Sequence, residues 1–117
     1  MQNETEQYVA PTYSAIYKYA PISAQKVRVF ANLIRGKYAD EAMTLLSCYP
    51  NRGARMLEHT LKSAMANAAD RNSANQDLRI VDVRVDGGPM RRRWKAGSRG
   101  ASRIIKIRSS HISVVLE

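Results

Sequence analysis

Gly87-Gly88-Pro89-Met90-Arg91-Arg92-Arg93-Trp94-Lys95-Ala96-Gly97-Ser98-Arg99-Gly100-Ala101-Ser102-Arg103-Ile104-Ile105-Lys106-Ile107-Arg108-Ser109-Ser110-His111-Ile112-Ser113-Val114-Val115-Leu116 is a run of thirty residues without an Asp or Glu, and eight of them are Lys or Arg. On both sides of its middle, apolar and polar residues alternate with the period of a β-strand. Val81, Val83 and Val85 alternate with Asp82, Arg84 and Asp86 before it. Ile105 and Ile107, then Ile112, Val114 and Leu116, alternate with polar neighbours after its middle. The connection from Gly88 to about Arg103 is too long for a hairpin turn, which takes two to five residues. It is either a disordered loop or a ribbon in which the two strands continue away from the body. Half of that segment, at about 3.3 Å per residue, adds roughly 25 Å of reach. A long basic hairpin buries little, and its charges repel one another in water. A surrounding polyanion removes that conflict, which points to nucleic acid.

Outward from this stretch the chain is ordinary. Of its 117 residues, 44% are apolar, enough for one domain with a modest core. The formal net charge is +9, and residues 79–111 carry ten basic residues against Asp82 and Asp86, hence +8 of it. The rest is a nearly neutral body bearing a basic arm. Cys48 is the only cysteine, so no internal disulfide forms, as suits a reducing cytosol. No run approaches the apolar length of a membrane span. Met1 to Gln7 lack the features of a secretion signal. Residues 1–10 read as a flexible tail and 11–117 as a single domain in a cytoplasmic protein.

The body reads as a strand followed by three helices. Tyr13, Ala15, Tyr17 and Tyr19 alternate with Ser14, Ile16 and Lys18, a strand that Pro21 stops. Ser23 is placed to cap a helix whose inner face is Val27, Phe30, Ala31 and Ile34, and Gly36 to end it in a left-handed conformation. Asp40 is placed to cap a short second helix with Ala42, Leu45 and Leu46 inward. Asn51 is placed to cap a longer third one with Ala54, Leu57, Leu61, Ala64, Met65 and Ala68 inward. The polar segment Asp70 to Asp77 ends that helix. The fold class is α+β: three helices on a small antiparallel sheet with a projecting hairpin.

Arg91, Arg92, Arg93 and Lys95 surround Trp94. Guanidinium groups fork onto phosphates, and a tryptophan stacks on an unpaired base. The alternative is a solvated loop whose Trp folds back on its own ribbon. Lys26, Arg28, Arg35 and Lys37, on or after the first helix, read on composition alone as a solvated face, as do Lys62 and Asn67 on the third. Catalysis has little support. His59 and His111 are the only histidines, Glu58 adjoins His59 but does not face it, and His111 amid Ser109, Ser110 and Ser113 is a weak grouping. No nucleophile elbow, phosphate-binding glycine loop or metal-spaced cluster is present, and no metal or other cofactor is implied.

Several separated segments resemble one family. Ser23-Ala24-Gln25-Lys26-Val27-Arg28, with Leu33-Ile34-Arg35-Gly36-Lys37, is similar to the first-helix signature of large-subunit ribosomal protein twenty-two. Leu61 to Ala68 resembles that family's third helix. Gly88-Pro89, Arg91 to Arg93, Arg99-Gly100 and Arg108 to Ile112 resemble its hairpin in order and spacing. The resemblance covers residues 10–117.

It implies three helices on a small antiparallel three-stranded sheet with a long β-hairpin, and no catalysis. It also implies binding to several domains of the large ribosomal RNA, contact with neighbouring ribosomal proteins, and a role in subunit assembly. The body is implied to sit near the exit of the nascent-peptide tunnel. The hairpin tip, mapped to Met90, Arg91, Arg92, Arg93, Trp94 and Lys95, is implied to line the tunnel wall beside the nascent peptide, close to the macrolide-binding region. The helix cations then read as RNA contacts. The full candidate set is Lys18, Lys26, Arg28, Arg35, Lys37, Lys62, Asn67, Arg84, Arg91, Arg92, Arg93, Trp94, Lys95, Arg99, Arg103, Lys106, Arg108 and His111.

The chain departs from the family's pattern in places. Pro-Arg-Ala after the basic run is here Ala96-Gly97-Ser98, and Gly-Arg-Ala is Gly100-Ala101-Ser102. Ser-Pro-Arg-Lys in the first helix is Ser23-Ala24-Gln25-Lys26. Gly97 is expected to loosen the tip. No homo-oligomer is expected. A reading from another class is an architectural DNA-binding protein whose basic β-ribbon arm enters the minor groove.

Overall fold

Alternation near the N-terminus builds an edge strand, β1 (Tyr13–Ala20), whose side chains Tyr13 and Ala20 are buried. The computed structural model describes residues 12–71 and 77–117, so the expected tail at 1–10 and most of the polar segment after the third helix lie outside the described residues. The strand leads into α1 (Ala24–Ile34), α2 (Ala39–Ser47) and α3 (Arg52–Asp70). The chain then enters β2 (Ile80–Gly87), β3 (Arg91–Ala96), β4 (Ser102–Ile107) and β5 (Ser110–Leu116). β5 lies between β1 and β2, antiparallel to both. α1 packs on β2, α3 packs on β1 and β5, and α2 packs on α3, so the helices cover one face of the sheet.

The core follows the predicted faces. Val27, Phe30, Ala31 and Ile34 of α1 are buried, as are Ala54, Leu57, Leu61, Ala64 and Ala68 of α3. They meet Ile80, Val83, Val85, Ile112, Val114 and Leu116 of the sheet. Leu45 and Met65 are only partly buried at the margin of this core. The small residues of α3 permit close packing. Gly53 has the carbonyl of Lys26 so near that an added Cβ would lie 2.7 Å from it.

Four local expectations are corrected. Alternation puts Val81 on the same face as Val83 and Val85, but Val81 is exposed while Ile80 is buried, because the β2–β5 register shifts between Ile80 and Asp82. Alternation puts Tyr19 in phase with Tyr17, but it is exposed with φ 58°, at an irregularity in β1–β5 pairing between Tyr17 and Ala20. Asp40 does not cap α2. Tyr38 holds that position, and Asp40 and Glu41 lie in the first turn, where their charge favours the helix dipole. Ser23 and Asn51 do occupy cap positions with extended backbone, but neither side chain makes a capping hydrogen bond. Gly36 ends α1 with φ +85°, as its position suggests.

Of the two readings of the connection, the ribbon is the one found. β3 and β4 pair from Arg91↔Ile107 to Ala96↔Ser102. Their extensive contacts are with each other alone. The radius of gyration is 18.7 Å, where a compact chain of this length has about 13 Å.

Candidate nucleic-acid interface

Pairing on the ribbon sorts its side chains into two faces, because residues directly opposite share a side. One face carries Arg91, Arg93 and Lys95 opposite Ile107, Ile105 and Arg103. The other carries Arg92, Trp94 and Ala96 opposite Lys106, Ile104 and Ser102. Two of the cross-strand pairs, Lys95↔Arg103 and Arg92↔Lys106, set cation against cation. Such pairs destabilise a free ribbon. Within the described residues no hydrogen bond or ion pair holds the side chain of Arg91, Arg92, Arg93, Lys95, Arg99, Arg103, Lys106 or Arg108. All except Ile107 and Gly97 between 91 and 108 are exposed, Trp94 at 71% and Ile104 at 51%. An apolar Trp94–Ile104 pair therefore stands in water beside the cation pair Arg92–Lys106.

The mapped tip needs correction. The resemblance maps the hairpin tip to Met90–Lys95, but Met90 lies at the foot of the ribbon and Arg91 to Lys95 run outward along β3. The chain reverses at Gly97–Ala101 instead. Ala101 N–H donates to the Ser98 carbonyl at 3.1 Å. Arg99 and Gly100 between them have φ 55° and 75°, the signs that match a turn to the twist of its strands. Arg99 is therefore the leading cation. The reversal was hidden because Arg is uncommon at positive φ, and Gly100 alone is a weak turn signal. Gly97 was expected to loosen this end. Its N–H donates to the Ala101 carbonyl, and an added Cβ would lie 2.7 Å from that oxygen, so a larger residue fits there only if the carbonyl moves.

The joint between ribbon and body is thin. Gly88, Pro89 and Met90 stand opposite Arg108 and Ser109, a mismatch of one residue. Gly88 N–H donates to the Ser109 carbonyl at 2.9 Å, and Ser109 Oγ donates to the Pro89 carbonyl at 2.7 Å.

The candidates on the body divide into two groups. Several are engaged within the fold. Arg28 donates through Nε and Nη2 to the Val85 carbonyl at 3.1 and 3.0 Å. Arg35 donates to the Val83 carbonyl at 2.6 Å and to Asn32 Oδ1 at 2.7 Å. Asn67 donates to the Ser14 carbonyl at 2.8 Å. His111 accepts the Tyr19 N–H at Nδ1, 3.0 Å away, and its ring meets the Tyr19 ring edge-on at 4.9 Å. It ties down the irregular end of β1, a structural task. Lys18, Lys26, Lys37, Lys62 and Arg84 are exposed, and their side chains have no partner among the described residues.

Lys26 meets the foot of the ribbon. A groove there is lined by Lys26, by Lys106 and Arg108, and by Arg52 at the start of α3. Arg52 was not singled out from sequence. The available signal was a cation in the first turn of a helix, where acids are favoured. Among the described residues no group of three His, Cys, Asp or Glu side chains gathers to hold a metal ion, and no helix is long and apolar enough to cross a membrane.

Comparison with known proteins places the chain. The family model for ribosomal protein L22p/L17e matches residues 15–117. The chain belongs to this family. It is 52% identical over 110 residues to the large ribosomal subunit protein uL22 of Rhodopirellula baltica, covering 89% of this chain and 92% of that one. It is 45% identical to the uL22 of Akkermansia muciniphila over 87% of this chain and 92% of the relative. To that of Caldicellulosiruptor saccharolyticus it is 44% identical, over 89% and 86%. As an L22-family chain it is a structural constituent of the large ribosomal subunit and not an enzyme.

Proposed function

We propose that this chain binds large-subunit ribosomal RNA through its ribbon and the cations of its body, and so supports assembly of the subunit in the cytoplasm. The observation that carries the reading is the ribbon's arrangement of charge. Eight cations lie between Gly87 and Leu116 without an acid, two cross-strand pairs are cation on cation, and no side chain among the described residues neutralises them. A two-stranded ribbon is marginal in water even without that repulsion. Phosphates packed along both faces convert the repulsion into attraction and release counterions.

The binding is electrostatic and geometric, with backbone and shape contacts outweighing base reading. The ribbon is a strut between RNA segments. Its reversal, with Arg99 foremost and Lys95 and Arg103 behind, is the part that reaches the wall of the nascent-peptide tunnel, while the body contacts neighbouring ribosomal proteins. Trp94, flanked by Arg92 and Lys106 on one face, stacks on an unpaired base.

The test is binding of the purified chain to large-subunit ribosomal RNA and to duplex DNA over a range of salt. Preference for the folded RNA, with affinity falling steeply as salt rises, supports the proposal. Equal or greater affinity for duplex DNA favours an architectural DNA-binding protein, and an affinity insensitive to salt overturns the electrostatic mechanism.

A further inference from the structure

The groove at the foot of the ribbon joins three parts of the fold. Ser23, Gln25 and Lys26 come from the start of α1, Arg52 from the start of α3, and Lys106 and Arg108 from the strand leaving the ribbon. It spans about 530 Å³, within the range of small-molecule sites. Those are lined mostly by apolar side chains, whereas this one gathers four cations and no acid. Such a lining attracts an anion.

The helices bordering it are charged against their own dipoles. α1 and α3 have no acid in the first turn, but carry Lys26 and Arg52 there. α2, which does not reach the groove, begins with Asp40 and Glu41 in the ordinary way. Cations at helix N-termini cost stability. Here the cost falls on both helices that face the groove. The N-cap hydroxyl of Ser23 is also left without a capping bond.

We propose that this groove seats a stretch of RNA phosphodiester backbone, and that the seated backbone sets the direction of the ribbon. The inference rests on the RNA-binding reading above and adds a specific seat to it. Lys26 and Arg52 hold the phosphates from the body, and Lys106 and Arg108 hold them from the ribbon. The joint itself is fastened by little: the Gly88–Ser109 and Ser109–Pro89 hydrogen bonds beside unequal strands. The extensive contacts of β3 and β4 are with each other. A polyanion gripped from both sides of the joint adds a fastening across it that fixes the ribbon's direction.

The experiment uses the full chain labelled with spin probes at Cys48, which is exposed, and at the reversal through Ser98→Cys. Pulsed dipolar spectroscopy measures the distribution of distances between them, free and bound to full-length large-subunit ribosomal RNA. The distribution should be broad in the free protein and narrow in the complex. The double variant Lys26→Gln with Arg52→Gln should still bind, with a salt slope lower by about two, but keep a broad distribution when bound. Lys37→Gln with Lys62→Gln, an equal loss of charge away from the groove, should weaken binding and still narrow. Failure of the unsubstituted chain to bind the RNA would defeat the RNA-binding reading itself. Binding with equal narrowing in both double variants would overturn the groove's role alone. Lys26 and Arg52 are exposed and without side-chain partners among the described residues, so the variants should fold, which their melting temperatures check.

Discussion

Replacing Arg91, Arg92 and Arg93 together by Ala should separate RNA affinity from folding. All three side chains are exposed on β3 and bonded to nothing within the described residues. Exposed substitutions of this kind stay within about 0.5 kcal/mol each. Removal of Arg92 also relieves its repulsion from Lys106 across the strand. The melting temperature of the free protein should therefore move by no more than a few degrees. RNA binding should suffer far more. If each arginine neutralises one phosphate, the slope of log affinity against log salt falls by roughly 2 to 2.7. Carried from a 1 M reference to 0.15 M salt, that slope is worth about 1.7 to 2.2 decades, or roughly a 50- to 200-fold loss of affinity. Filter binding to ribosomal RNA at four or five salt concentrations gives both quantities, and a thermal melt gives the third. An unchanged slope would refute the placing of phosphates on this strand. A fall in melting temperature beyond about 10 °C would show that the run is part of the folded core.

Other substitutions separate the roles of individual residues. Gly53→Ala drives a Cβ to 2.7 Å from the Lys26 carbonyl and should destabilise the α1–α3 contact by about 1–3 kcal/mol, read by urea denaturation; a neutral result would mean the helices separate freely. Arg28→Met keeps the stem but removes both hydrogen bonds to the Val85 carbonyl. It should cost about 1–3 kcal/mol of stability whether or not RNA is present, whereas a purely RNA-binding arginine would leave the melt unmoved. Trp94→Ala should lower RNA affinity by about 1–3 kcal/mol. Because Trp94 is the only tryptophan, quenching of its fluorescence on binding reports the stack directly, and unchanged emission would place it away from the bases.

The body was legible in the sequence because its signals are periodic. Val27, Phe30, Ala31 and Ile34 could lie only on one helix face, and Ile112, Val114 and Leu116 only on one strand face. What escaped was set by local backbone irregularity. The register shift that turns Val81 outward and the positive φ of Tyr19 leave no trace in residue pattern. The turn at Arg99 and Gly100 is hidden for a related reason: the basic run marks Met90–Lys95, while the reversal depends on two dihedral angles further on.

The site was legible as charge but not as geometry. The sequence shows eight cations on the arm; only the pairing shows that Lys95 faces Arg103 and Arg92 faces Lys106. The body cations read alike in sequence, yet Arg28 and Arg35 bind backbone carbonyls of β2 while Lys26 opens onto a groove. Arg52 was passed over because position 52, distant from the arm in sequence, reaches its foot only through the packing of α3 against α1.

The most direct test is sedimentation of a tagged copy from cell lysate through sucrose gradients at low and raised salt. Co-migration with the large ribosomal subunit that survives moderate salt is the predicted result. Migration as a free small protein, or with chromosomal DNA, would contradict assembly of this chain into the ribosome through its basic ribbon.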